Sequence, residues 1–280
     1  MKHRGFVCLV VFVCLLAASA GAEPMVQPRR LIDSHTAGLL PRGHFDFETR
    51  VYPSRHPGVK GAGITFSIGV GITDRLMFGG GYGADGLVGR TGVKGNPLPG
   101  LLVKYRVFEE TIGLPGVAIG YDWQGYGGIE GYGDTTDSTD AYRGYVYKSQ
   151  GFFLSVSKNY LLINTVQLGF HSAINYSLEQ RDEINWPNGY IGMDLGINEE
   201  LAIAVEYDLA LNHLDPETGK YANPLKGFLN AGVRWRFAPT FYLEFDAKDI
   251  LQHKLREPAD PDSEPLGWGR ELKLVYYSDF

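Results

Sequence analysis

The chain has 280 residues and a formal net charge of −6, with 37 glycines, 17 tyrosines and two cysteines. The acidic balance excludes a nucleic-acid binder and a simple polybasic lipid-surface binder, both of which need an excess of positive charge. Both cysteines, Cys8 and Cys14, fall near the start, so the rest of the chain is held together without disulfides.

Lys2, His3 and Arg4 make a basic start, Phe6 to Ala18 an apolar run, and Ser19-Ala20-Gly21-Ala22 a small-residue A-x-A pattern before Glu23. This is the pattern of a signal peptide over residues 1–22. The apolar run is shorter than the ~20 residues of a spanning helix, and Val11-Phe12-Val13 before Cys14 lacks the small residues of a lipidation site. Cleavage would remove Lys2 and Arg4 but no acid, taking the charge from −6 to −8. Residues 23–43 are expected to be a periplasmic N-terminal segment, and 44–280 an outer-membrane β-barrel.

Period-two alternation dominates the chain from residue 44 onward. Ala62, Ile64, Phe66, Ile68, Val70 and Ile72 alternate with Gly63, Thr65, Ser67, Gly69 and Gly71; Leu201, Ile203, Val205 and Tyr207 alternate with Ala202, Ala204, Glu206 and Asp208. In a strand the two sets face opposite sides. Such runs predict about twelve strands, near 44–52, 61–72, 76–82, 100–107, 116–124, 150–157, 164–176, 189–197, 201–210, 227–237, 241–250 and 270–280. The class is all-β, a transmembrane antiparallel up-and-down barrel.

Connections alternate in length. Thr73-Asp74-Arg75, 108–115, 158–163, Asn198-Glu199-Glu200 and Ala238-Pro239-Thr240 are short, whereas 83–99, 125–149, 177–188, 211–226 and 251–269 are long and polar. Short periplasmic turns and long external loops give this rhythm, and an even strand count puts both chain ends on the periplasmic side. A three-residue turn at Ala238-Pro239-Thr240 would set Phe237 opposite Phe241, Trp235 opposite Leu243 and Arg234 opposite Glu244.

A soluble sandwich or lipocalin-like barrel also alternates, with its apolar face inward. Against it stand a polar set rich in Gly, Ser, Thr and both charges, and aromatics at strand ends (Tyr52, Tyr82, Trp123, Tyr176, Phe237, Phe241) as interface girdles require. The final run, Leu272 to Phe280, alternates and ends in Phe280, like the assembly signal that the barrel assembly machinery reads.

Several blocks carry a resemblance. Thr36-Ala37-Gly38-Leu39-Leu40-Pro41-Arg42-Gly43, Lys104-Tyr105-Arg106-Val107-Phe108-Glu109-Glu110, Leu114-Pro115-Gly116-Val117-Ala118-Ile119-Gly120-Tyr121-Asp122, Gly125-Tyr126-Gly127 and Val156-Ser157-Lys158-Asn159 together resemble the first half of the YjbH-like outer-membrane family, or a related uncharacterised single-barrel outer-membrane family. The likeness covers roughly residues 36–160. It implies a β-barrel associated with exopolysaccharide, with polysaccharide or polysaccharide-export proteins as partners.

Motifs of catalysis are sparse: HExxH and GxSxG do not occur, and no Cys follows Cys14. His171 and Ser172 are adjacent on one strand and so point to opposite faces. Asp208 and His213 lie near a strand end without a second acidic pair, and Glu109-Glu110 falls in a turn. Asp134, Asp137 and Asp140 are spaced like oxygen ligands for Ca²⁺, but the Gly and terminal Glu of a calcium loop are missing. The tyrosines of that loop, Tyr126, Tyr132, Tyr142, Tyr145 and Tyr147, suit stacking on sugars. No enzyme activity, metal or cofactor is expected.

The charges on the polar parity carry the functional reading. Lys104, Arg106, Asp122, Glu206, Asp208, Arg234, Arg236, Glu244, Asp246, Lys248, Glu271 and Lys273 are expected to line the lumen. Their mixed sign fits a weakly selective path for a polar solute such as polysaccharide. The alternative is a structural or surface-interaction barrel, closed by its own side chains and transporting nothing.

Overall fold

The computed structural model describes residues 28–53, 61–89, 92–129, 145–163, 166–179, 186–212, 227–252 and 269–280. The expected signal peptide with Cys8 and Cys14 lies outside the described residues, as do Asp134, Asp137, Asp140, Tyr132, Tyr142 and His213.

The described residues form β1 His44–Pro53, β2 Gly61–Thr73, β3 Leu76–Gly89, β4 Lys94–Gly95, β5 Gly100–Phe108, β6 Gly116–Asp122, β7 Tyr126–Ile129, β8 Tyr145–Tyr147, β9 Gly151–Ile163, β10 Val166–Tyr176, β11 Asn188–Gly196, β12 Leu201–Asp208, β13 Phe228–Ala238, β14 Phe241–Lys248 and β15 Gly269–Asp279. Twelve of them pair antiparallel in chain order, and β15 returns to β1, closing the sheet. β4 pairs only with β3, and β7 and β8 form a separate ribbon. Closure leaves no strand edge in need of a partner, which is what a sheet in lipid requires.

Alternation decides which side each residue faces. In β1, Asp46, Glu48, Arg50 and Tyr52 are buried and Phe47 is exposed. Around the wall Ile68, Ile191 and Phe245 are 47%, 55% and 56% exposed, while Lys104 and Glu206 are 0% exposed. A water-soluble protein does not turn large aliphatic and aromatic groups outward around its whole girth and charges inward. Ring contacts mark both ends of the apolar band. Trp235, Phe237, Phe241, Tyr276 and Phe45 are linked at 4.8–6.0 Å at the end carrying the short turns. At the loop end Tyr121 lies 6.2 Å from Trp123 and 4.8 Å from Phe152.

Several expectations are corrected. Tyr52 shares the inward parity of Arg50 and is buried, so it belongs to no girdle. β3 continues to Gly89 and β9 to Ile163, so 83–89 and 158–163 are strand and not connection. Trp235 opposes Leu243 and Arg234 opposes Glu244 as expected, but Ala238, not Phe237, opposes Phe241. The turn holds only two residues, Pro239 and Thr240. Pro239 presets φ at the first of them, and an irregularity between Trp235 and Ala238 absorbs the one-residue difference.

Candidate functional site

Residues 28–43, expected outside the barrel, instead run inside it. Pro41 and Arg42 mark the entrance at the turn end, where Arg42 N–H donates to Asp74 at 3.1 Å and Gly43 N–H to Gly71 O at 3.0 Å. The segment folds back on itself: Arg30 pairs with His35, and Leu31 N–H donates to Ser34 O at 2.9 Å. The result is a narrow hairpin with its tip at Leu31–Ser34, pushed up the lumen.

The tip closes on one carboxylate. Oε2 of Glu206 accepts N–H bonds from Ile32 at 3.2 Å, Asp33 at 3.1 Å and Ser34 at 2.9 Å, and the Ser34 hydroxyl at 2.8 Å. Convergent backbone N–H groups form a nest that favours an anion, and here the anion is supplied by the wall. Lysines hold the carbonyls: Lys104 donates to Arg29 O and Gly38 O, and Lys273 to Ile32 O. Ion pairs finish the seat, with Arg29 on Asp46 at 2.8 Å, Arg30 on Asp122 at 2.6 Å and Lys248 on Asp33 at 2.5 Å.

His35 lies fully buried, stacked on Phe153 with ring centroids 4.1 Å apart. Facing a carboxylate 2.8 Å away, its Nε2 carries the proton and donates to Asp122.

Apolar contacts anchor the descending arm. Ala37, Leu39 and Leu40 pack with Met77, Leu102, Ala118 and Phe153, and Leu31 and Ile32 pack with Ala204. The wall is cut to fit: a Cβ at Gly71 would lie 2.0 Å from Pro41 O, and one at Gly192 2.4 Å from the Leu31 side chain. Beside the segment two interior spaces measure about 20 Å³ each, room for one or two waters at ~10–15 Å³ apiece.

The expected lumen charges divide by what they hold. Lys104, Asp122, Glu206, Lys248 and Lys273 contact the segment directly. Arg234 grips Glu244 at 2.5 Å and reaches Leu31 O at 3.4 Å. Asp246 pairs with Lys273 at 2.7 Å, and Glu271 accepts the Tyr126 hydroxyl at 2.7 Å. Asp208 is buried at the loop end on Asn188 and Ala210. Arg106 is half-buried, and Arg236 sits in the register irregularity at the turn end and is exposed. Phe280 is 83% exposed, its N–H donating to Gly43 O at 2.9 Å.

Sequence reading missed Asp46, Glu48 and Arg50, although their alternation with Phe45, Phe47 and Thr49 was there to find. It also missed a row across β9, β10 and β11. Ser157 Oγ lies 2.8 Å from His171 Nδ1, and His171 Nε2 lies 2.5 Å from Asp194. These residue types recur in nucleophile relays, yet Ser157 is fully buried and its oxygen accepts Ala37 N–H at 2.8 Å. In this arrangement the row anchors the segment. Ser172 points outward, as its parity requires.

Glu206→Gln keeps the side chain's size and removes its charge. Hydrogen bonds to a charged acceptor are worth about 1 kcal/mol more than neutral ones, so the tip should loosen. In purified barrel a cysteine at Leu31 is expected to react with a water-soluble maleimide roughly 10-fold faster in the Glu206→Gln background. Equal rates in the two backgrounds would remove Glu206 from its holding role.

A closed antiparallel sheet with an apolar, aromatic-girdled exterior and a charged interior defines an outer-membrane β-barrel. No protein-family model matches the sequence, and no curated protein matches it. In fold the chain is similar to the NanC porin, at 10% identity and TM-score 0.41, over 84% of this chain and 99% of that one. It is also similar to an outer membrane channel from Pseudomonas putida F1, at 11% identity and TM-score 0.39 over 86% and 97%. A third likeness is to the outer membrane channel DcaP of Acinetobacter baumannii, at 9% identity and TM-score 0.30 over 85% and 96%. The class assignment rests on the strand order and the two faces of the wall.

Proposed function

We propose that this protein is a gated outer-membrane channel for polar solutes, held shut at rest by residues 28–40. One observation carries the reading: the wall facing the lumen is charged and hydroxylic, and what fills it is a separate hairpin entering from one end. A barrel closed only by its own wall would need no such insert. Withdrawal of the hairpin toward the periplasm would leave a path lined by Glu48, Arg50, Lys104, Glu206 and Lys273. Both signs on that path suit a polar solute over a strongly charged one, and the blocks resembling the YjbH-like family support polysaccharide as that solute, with export proteins as partners. Residues 1–22 direct export, and β15 with Phe280 engages the barrel assembly machinery.

A closed structural or surface-binding barrel is the second reading. The buried aliphatics of the hairpin favour it, because Leu31 and Ile32 at the tip and Leu39 and Leu40 on the arm each add about 1.5–3 kcal/mol on burial.

A reversible tether separates the two. A Cβ at Gly116 would lie 3.3 Å from Ala37 Cβ, close to the ~3.5–4.5 Å of a disulfide. The Ala37→Cys/Gly116→Cys protein should stay silent in planar bilayers when oxidised, whatever the voltage. After reduction it should open at least as often as wild type. Current that persists in the oxidised protein would place conduction outside the path the hairpin fills.

A further inference from the structure

Above the hairpin tip, at the loop end, the wall and the tip line a cavity of about 50 Å³, room for roughly four waters. Its lining includes Gln150, Asn175, Tyr190, Asn212, Tyr126 and Tyr147. Gln150, Asn175 and Asn212 are 7%, 4% and 4% exposed, and the amide oxygen of each lacks a hydrogen-bond donor. Turning the amide over cannot cure this for Asn175, whose Nδ2 donates to the carbonyl oxygen Gln150 O at 2.7 Å. Gln150, whose Nε2 donates to the Tyr190 hydroxyl at 3.0 Å, would if turned over accept that hydroxyl and present its NH2 instead. Buried acceptors left without donors are costly, so this wall is built to receive O–H or N–H groups.

The charges around the cavity narrow the chemistry. Arg30 is held by Asp122, and Lys248 by Asp33 and Glu271. Lys148 donates to Asn212 O at 2.8 Å, and Asp208 accepts from Asn188 and Ala210. Besides Arg30 Nε, the buried polar atoms of the lining left without partners are on neutral groups, the amides of Gln124, Gln150, Asn175 and Asn212 and the hydroxyl of Ser149.

We propose that this cavity is a saccharide-binding site, taking the hydroxylated edge of one neutral sugar unit that enters from the loop end. The site stands whether or not the hairpin ever leaves the lumen. Saturation-transfer NMR on purified, folded wild-type barrel with glucose, galactose, mannose and N-acetylglucosamine tests it, with glucuronate and putrescine as charged probes. At least one neutral sugar should receive saturation and the charged probes little. Gln150→Leu and Asn212→Ala, each checked for a heat-modifiable folded barrel, should weaken that binding roughly 3- to 10-fold.

Silence from all four neutral sugars overturns the proposal, leaving a cavity that holds water only. Binding unchanged in both variants overturns it as well, by placing the sugar elsewhere, and stronger transfer to glucuronate or putrescine refutes the neutral class. A barrel that binds sugar and never conducts loses the channel and keeps the site; one that conducts after release and binds nothing does the reverse.

Discussion

Deleting residues 28–40 is expected to turn an electrically silent barrel into a conducting one. The four buried aliphatics of the hairpin alone contribute about 6–12 kcal/mol if each is worth 1.5–3. A few kcal/mol already leaves an open state at the per cent level or below, so wild type should show rare events or none. Without the hairpin, the ~20 Å³ gaps beside it merge with the volume it occupied. Deletion removes Arg29, Arg30 and Asp33, a net loss of one positive charge, leaving Asp46, Asp122 and Lys248 facing the path without those partners. The conducting form should therefore favour cations, weakly, because Arg50, Lys104, Lys248 and Lys273 remain on the wall. Discrete steps in planar bilayers, with a small reversal-potential shift in a salt gradient, are the expected record. A deletion protein that folds to a heat-modifiable barrel and stays silent would leave the closed structural barrel as the better reading.

The second large effect is on assembly. Phe245 lies mid-strand in β14, 56% exposed and paired with Val233 and Leu272, while its neighbours Glu244 and Asp246 are buried on the other face. Phe245→Arg puts a cation against lipid near the middle of the band, at a cost of about 2–4 kcal/mol. Such a cost lowers the folded-to-unfolded ratio by roughly 30- to 1000-fold. Folded yield on refolding into lipid vesicles should fall sharply, and Phe245→Leu should refold close to wild type. Wild-type yield from Phe245→Arg would mean that this face does not meet lipid.

The hairpin accounts for what was hardest to foresee. Arg29, Arg30, Asp33 and His35 show no period and read as a solvated leader, because what buries them is supplied from far along the chain. Ile32 meets Glu206 across 174 positions and Lys273 across 241. Local pattern carries no trace of such pairings. The resemblance of residues 36–43 to a family block marked them as notable, but not as buried.

What the sequence by itself determined is the wall. A period of two assigns each residue to lipid or lumen from its neighbours alone, which is why Arg234 opposite Glu244 and Trp235 opposite Leu243 were legible. Small departures came from turn chemistry: Pro239 tightened one hairpin, and the irregularity beside it moved the Phe237 pairing by one residue. Only the tertiary structure decided what the wall encloses. Closure brings Glu206, Lys104, Asp122 and Lys273 around one axis, and a lumen so charged and so narrow must neutralise itself with water, solute or protein. In this chain the hairpin of residues 28–40 does so, because its backbone N–H groups and arginines match the carboxylates that the closed sheet gathers.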